Sequence, residues 1–477
     1  MIAPSCGISI GLFPRLLGVV YLLAFGSLFV QVRGLYGARG ILPIRDHVAA
    51  LRLTFGTTIR LRLPSLFWFA ANDAFITGCA AAGVCLSLLL VAGLLTMPAL
   101  ILLWLIYLSF AAMGQEFLSY QWDALLLEAG FMTIFLPLVS PPPPLVCLAC
   151  QFFIFRFMFS AGAVKLTSGD PNWRNLRAMC VHYETQPIPN RIAWYAHQLP
   201  ERLQRLSTLA TLFFELIVPF LALGPAPCRL ACFCLLLFFQ GLIFLTGNYG
   251  FFNILTIVLA VPLLDDRYLG PAGLVGLLPA SMPPAPFMVG LVSVIFSAFI
   301  LLNGLQLLRL FVRPHWLSRI LAACGPWYVS SPYGLFAVMT TKRFEFVIEG
   351  SNDLNEWQPY EFRWKPGDTL TPPRQAAPHQ PRLDWQMWFA ALDPTHVEPW
   401  LVRLVQRLLE GSPPVMSLFG TVPFRDAPPA AIRLVVYRYH LSAWATRRAT
   451  ARWWDRSRVG MSAPMSLPSG PRAASRG

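Results

Sequence analysis

The chain has 477 residues, of which 56% are hydrophobic and 13% charged, and its 37 Lys and Arg against 23 Asp and Glu give a formal net charge of +14. A soluble globular protein carries roughly 25% charged residues, so the composition excludes an ordinary soluble enzyme of two or three domains. The arginines are spread along the chain rather than gathered in a stripe, which excludes a nucleic-acid face; a cationic excess of this kind sets topology and meets anionic head groups of a lipid bilayer.

Apolar runs fill the first two thirds. The first, from near Gly11 to about Val32, lacks a small-residue cleavage site and reads as an uncleaved span. The loop from Gln31 to Pro64 follows, with six arginines, and by charge bias alone it belongs in the cytoplasm. Spans are expected at Phe75 to Leu95 and Met97 to Met113. The stretch from Ser119 to Leu138 is apolar but carries Gln121, Asp123 and Glu128, and reads as a re-entrant or bundle-buried helix. After the stiff turn Pro141 to Pro144, a span from Leu145 to Val164 contains Arg156 and runs into Lys165. Further spans fall at Leu206 to Leu223, with Glu215 inside it, at Leu230 to Thr246, at Phe251 to Leu264 and at Phe287 to Val312.

The densest polar stretch lies among these spans. Asp170 followed by Pro171 is a helix start, with Asp as N-cap and Pro at the first helical position. Pro187 and Pro189 then break the helix. His182, Glu184, Gln186, Asn190 and His197 lie between and just beyond.

From Arg313 the pattern changes. Phe344, Phe346 and Ile348 alternate with Arg343, Glu345, Val347 and Glu349, the period of a half-buried strand. Tyr360, Phe362 and Trp364 alternate again, and Ile432 to His440 is a further strand. Val397, Trp400, Leu401, Leu404, Val405, Leu408 and Leu409 form the stripe of an amphipathic helix, with Thr395 and Glu398 spaced as a capping box. With no cysteine after Cys324, this region is expected to fold alone without disulfides. The ten cysteines lie mostly in apolar segments and read as small buried hydrophobes. The expected architecture is a multi-pass α-helical membrane bundle of about seven to nine spans or re-entrant helices, with a C-terminal β-rich soluble domain. Residues 1–312 form the bundle with polar loop 165–205, 313–343 a linker, 344–460 the soluble domain and 461–477 a disordered tail.

Several long, irregular motifs carry a family likeness: GLYGARGILP (Gly34 to Pro43), QWDALLLEAGF (Gln121 to Phe131), LTSGDPNW, HYETQPIPN, WYAHQLP, GNYGFFN (Gly247 to Asn253) and PHQPRLDWQMWFAAL (Pro378 to Leu392). Together they make the chain resemble the lipase maturation factors over nearly its whole length. That resemblance implies a multi-pass membrane protein of the endoplasmic reticulum, or of the cytoplasmic membrane if the chain is bacterial, that helps secreted lipases fold and assemble. It implies secreted lipases as clients, no cofactor, and a cytoplasmic N-terminus, which conflicts with the charge bias of the Gln31 to Pro64 loop. The shorter run FSAGAVKL with GDPNW also resembles the vitamin K-dependent γ-carboxylases, and implies Lys165 as a catalytic base.

Each candidate residue has a second, plainer role. Lys165 at a helix end snorkels to the head groups if it is not a base. His182, Glu184 and His197 have neither HxxxH nor HExxH spacing, so hydrogen bonding in a loop cap is expected before a metal site or proton relay. Asp123 and Glu128 are expected to pair with Arg156, a structural role set against an ion pathway through a transporter. His379, Arg382, Asp384, Trp385 and Trp388 combine the residue types that dominate binding hot spots, and such residues equally pack a domain core; with His182, Glu184, Gln186 and His197 they are the candidate client contacts.

Overall fold

The computed structural model describes residues 6–56, 58–273 and 284–468. Among the described residues, seven helices are long and apolar enough to cross a membrane: Gly7–Phe29, Asp73–Ala92, Thr96–Met113, Pro144–Thr167, Glu201–Leu223, Ala226–Thr246 and Pro286–Leu308. Two shorter ones, Gln121–Ile134 and Phe252–Leu263, lie among them. The capping chemistry is local and legible. Asn72 accepts from Phe75 N to start one span, and Asp170 accepts from Asn172 N at 2.8 Å ahead of Pro171.

One end of the bundle is fixed by three contacts. Cys6 and Cys147 form a disulfide, so these two are a covalent link rather than the small hydrophobes expected. Asp266 accepts from Gly7 N at 2.9 Å, and Asp265 pairs with Arg229 at 2.8 Å. The opposite end carries the C-terminal region. Gln31 Nε2 donates to the Gln380 carbonyl at 2.8 Å, and Asn248 Oδ1 accepts from Ala376 N at 2.6 Å and Ala377 N at 2.9 Å. Arg407 Nε donates to the Gly40 carbonyl at 2.9 Å, so the basic loop after the first span lies on the same side as the C-terminal domain. Followed from end to end, the seven long helices and the two short ones return the chain to the side of this domain.

The C-terminal sheet has four antiparallel strands in the order β2-β1-β3-β4: β1 Arg343–Ser351, β2 Gln358–Tyr360, β3 Ala431–Leu441 and β4 Trp454–Met461. β1 and β3 were expected. β2 is shorter than the alternation through Trp364 suggested, because Trp364 N and Lys365 N turn away from the ladder to Asp384. β4 was not anticipated, since its outer face is largely exposed and carries no apolar alternation. The tail expected to be disordered is paired as far as Met465, whose N–H donates to the Ile432 carbonyl at 2.7 Å; residues 469–477 lie outside the described part. The amphipathic helix runs Pro399–Leu409, with its stripe from Trp400 to Leu409 buried, while Val397 lies before its start and is exposed because Pro399 begins the helix. Its capping box does not form: Thr395 bonds Asp393 in a turn, and Pro399 sets the helix start after Glu398.

A single hydrophobic core joins the two regions, running from Phe13 and Tyr107 in the bundle to Ile348, Trp385 and Leu404 beyond it. Glycine permits the closest approaches. A Cβ at Gly34 would lie 2.5 Å from the Pro414 carbonyl, and one at Gly250, where φ is +57°, would lie 2.0 Å from Gln380 Oε1; both glycines belong to motifs that carried the family likeness.

Candidate functional site: the joint between bundle and sheet

The buried acids Asp123, Glu128 and Glu215 of the bundle are each paired with a buried cation. Glu128 Oε1 meets Arg156 Nη2 at 2.6 Å, as expected. Asp123 does not share Arg156: it takes Arg382, from the far end of the sequence, at 2.9 Å. The reason is geometric. Glu128 already fills Arg156 on one side and Ser331 O, at 2.8 Å, takes the other, while Arg382 is delivered by the helix Arg382–Ala390 over the start of the Gln121–Ile134 helix and also donates to the Phe117 carbonyl at 2.7 Å. Glu128 Oε2 further accepts from Ser331 N at 2.9 Å and from the Tyr333 hydroxyl at 2.6 Å. The linker is thereby pinned to the bundle. Its path continues with Gly334 N on Gln121 at 2.9 Å and Met339 N on Asp170 at 2.6 Å.

Lys165 is buried and does not snorkel. Its Nζ lies 2.7 Å from Glu215 and donates to the Ala161 carbonyl at 3.1 Å. Glu215, placed within a span by its apolar neighbours, supplies the partner that makes burial tolerable. Around this pair lies a cavity of about 340 Å³, walled by Phe157, Trp173, Phe214 and Phe239 and touched by His182 and Tyr249.

The polar loop forms the socket for the sheet. Arg343, the first residue of β1, donates to the carbonyls of Glu184, Gln186 and Pro187, and pairs with Glu345, which also meets Lys365 at 2.9 Å. The strand's charged face is buried against this loop: Arg343 is 1% exposed and Glu345 0%. Glu184 accepts from Leu441 N at 2.9 Å and lies 3.1 Å from His440 Nδ1 and 3.6 Å from His197 Nε2. Burial pulls the His197 imidazole below its usual range, with Glu184 opposing and His440 adding to the depression. His182 bonds the Tyr249 hydroxyl at 2.9 Å, and burial with the nearby Lys165 charge pulls it down to about 4. Gln186 donates to the Thr246 carbonyl at 2.9 Å and accepts from Tyr249.

The cluster of His379, Arg382, Asp384, Trp385 and Trp388 is also built inward. Asp384 accepts from Trp364 N at 2.9 Å and Lys365 N at 3.0 Å, yet burial dominates and pushes it up to about 6. His379 sits beside Trp364 and is pulled down to about 4 by burial and by Arg382 and Arg363. Trp388 Nε1 donates to the Thr185 carbonyl at 2.8 Å, and Trp385 packs on Trp122 with ring centroids 4.7 Å apart. Trp385, Trp388 and Gln386 nevertheless form one wall of a groove of about 430 Å³, whose rim includes Val338, 68% exposed, Phe389, 40%, and Leu392, 45%. Sequence reasoning named Trp385 and Trp388 of this wall and missed Gln386 and the rim, because a rim of scattered apolar residues has no period. Among the described residues, no cluster of His, Cys, Asp and Glu has the geometry of a metal site.

Two family models match this chain. The lipase maturation factor transmembrane domain covers residues 9–270, and the lipase maturation factor C-terminal domain covers residues 329–464. Among curated relatives, lipase maturation factor 2 of Rattus norvegicus is 33% identical over 94% of this chain and 81% of its own length. Lipase maturation factor 2 of Xenopus laevis is 34% identical over 92% and 80%, and lipase maturation factor 1 of Bos taurus is 32% identical over 94% and 86%. No solved structure matches. The span-forming helices make this a multi-pass membrane protein, and matches of this extent show that the chain belongs to the lipase maturation factor family.

Proposed function

We propose that this protein is a membrane-embedded maturation factor that assists the folding and assembly of secreted lipases in the endoplasmic reticulum. The observation that carries the reading, beside family membership, is the one-sided build of the molecule. Among the described residues, the polar loops and the sheet lie on one side of the spans, while the short turns, the N-terminal end and the segment around Asp265 and Asp266 lie at the other; the sheet side is locked to the bundle by Arg382–Asp123, Arg343 with the loop carbonyls, and Glu184. A rigid platform with an apolar groove on that face suits transient contact with an incompletely folded partner. The groove rim of Val338, Phe389 and Leu392 presents apolar side chains to such a segment, and burial of apolar surface supplies non-directional affinity. A secreted client meets this face only if it is lumenal.

The two other readings lose support at the same residues. A base at Lys165 needs a free lone pair aimed at a substrate, and its Nζ is engaged by Glu215 and Ala161. An ion pathway needs acids free to change partners, and Asp123, Glu128 and Glu215 each face a buried cation. The test is secreted active lipase per unit of this protein in a cell lacking its own factor. Restoration by the wild-type chain, and its loss on charging the groove rim, is the expected result; absence of restoration with normal protein level overturns the reading.

A further inference from the structure

The cavity beside Lys165 has a use that platform contacts do not explain. Its walls come from the end of the Pro144–Thr167 helix, from Glu201–Leu216 and from Ala226–Thr246, and its roof from Trp173 and Phe336. The last two helices are joined through the Val218–Leu223 turn, where they pack most closely, with Phe214 stacked on Phe239 just above it at 4.8 Å between ring centroids. Above the turn they part, and Thr211 and Leu242 at the parting both line the cavity. Their outward faces carry Leu206, Leu209, Phe213, Phe238 and Leu245, all at least 44% exposed, which in a membrane face acyl chains. The cavity is therefore placed beside lipid, with an apolar body large enough for a small ligand.

Its polar groups specify the head. Lys165 and Glu215 neutralise each other at 2.7 Å, so an ionic head group would have to break the pair or sit uncompensated at low dielectric, which is costly. What remains are neutral donors and acceptors. The Gln240 side-chain oxygen accepts from Asn253 at 2.8 Å, and its amide nitrogen is not engaged. The Ser207 and Thr211 hydroxyls donate to carbonyls one turn back and keep lone pairs to accept with. We infer that this cavity binds an uncharged lipid with one acyl chain and a head of hydroxyl or ester oxygens, the chemistry of a monoacylglycerol, entering sideways between the Glu201–Leu216 and Ala226–Thr246 helices.

The probe is a diazirine-bearing monoacylglycerol, with the full chain in phosphatidylcholine nanodiscs. Saturable labelling is expected on the peptides holding Phe157 to Lys165 and Ser207 to Glu215, competed by monooleoylglycerol but not by oleate or lysophosphatidylglycerol at the same concentration. Ala210→Trp fills the cavity without touching the ion pair, and should cut labelling at least about tenfold at an unchanged melting temperature. If that variant fails to fold, Ala161→Leu serves the same purpose from the facing wall. Labelling confined to the outer faces of the two helices, equal competition by the anionic lipids, or labelling indifferent to a folded cavity-filling variant would each overturn the inference.

Discussion

Arg382 reaches Asp123 across 259 positions of sequence, with Nη2 2.9 Å from Oδ1 and Nη1 3.0 Å from Oδ2. This two-pronged contact joins the last third of the chain to a helix within the bundle, and both side chains are at most 1% exposed. A buried pair contributes little net stability when formed, but removing one partner strands a charge. Arg382→Gln or Asp123→Asn should therefore each destabilise by about 3–5 kcal/mol, read as a large drop in melting temperature in detergent. Replacing both by Leu should cost clearly less than the two single effects added. Strict additivity would show that the two residues act separately.

The shared core changes what is expected of the isolated C-terminal region. A fragment from about Pro326 to Arg458 would expose Trp385, Leu383 and the buried charges Arg343 and Glu345 to water without the loop that caps them. It would also lack the Ser462 and Met465 contacts on β3. It should show no cooperative melt and should bind a hydrophobic dye strongly. A sharp, reversible transition in that fragment would show that the sheet stands without the bundle.

Much of this was legible in the sequence because local physics dictates it. Apolar length marks the spans, Asp170 with Pro171 marks a helix start, and the stripe from Trp400 to Leu409 marks an amphipathic helix. What was not legible is long-range. Nothing local in PHQPRLDW distinguishes an Arg382 that binds a client from one that inserts beside Asp123. The alternation at Arg343 and Glu345 correctly gives a strand, but period two cannot say whether the polar face meets water or a socket of carbonyls. Cys6 and Cys147 sit 141 positions apart, and no spacing rule pairs them.

The polar loop and the segment just before the Arg382–Ala390 helix should respond to acid. His182 and His379 are both depressed to about 4, against an unperturbed value near 6.5. The unfolded chain then binds more protons, so their contribution is present above pH 6.5 and is lost as pH falls toward 4. At pH 5 the loss is on the order of 2 kcal/mol from each. Asp384, raised to about 6, works the other way: protonation below pH 6 relieves its burial. The histidines outnumber it, so the melting temperature should fall between pH 7 and pH 5. His379→Gln should flatten that acid limb, and Asp384→Asn should steepen it.

Topology follows from contacts that cross the chain. Arg407 and Ser412 both donate to carbonyls of the loop after the first span, at Gly40 and Arg39. The loop and the sheet domain must share a side, whatever the arginines suggest. Glycosylation acceptors placed in the exposed turn at Asn352–Asn355 and in the exposed stretch near Arg52 should therefore be modified together, and one placed after Leu94, at the opposite end of the bundle, should not. Modification after Leu94 with none at the other two would reverse the orientation and remove the sheet from the lumen.

The last prediction separates a folding helper from an enzyme. A helper works through contact area, so its loss is graded and centres on the surface that meets the client. An enzyme that relies on one lysine base loses nearly all activity with that residue. Lys165→Arg keeps a cation opposite Glu215, but guanidinium does not give up its proton and cannot serve as the base. It should retain most lipase maturation. Trp385→Ala with Trp388→Ala would reduce maturation partly by unfolding the joint, since Trp388 holds Thr185 and Trp385 packs on Trp122. Val338→Asp with Leu392→Asp is the cleaner test, because both side chains are more than 40% exposed on the groove rim and support no buried contact of the joint. This pair should lower secreted active lipase several-fold at normal protein level and an unchanged melting temperature. Near-complete loss in Lys165→Arg alongside full activity in the rim variant would move the function from the platform to the lysine.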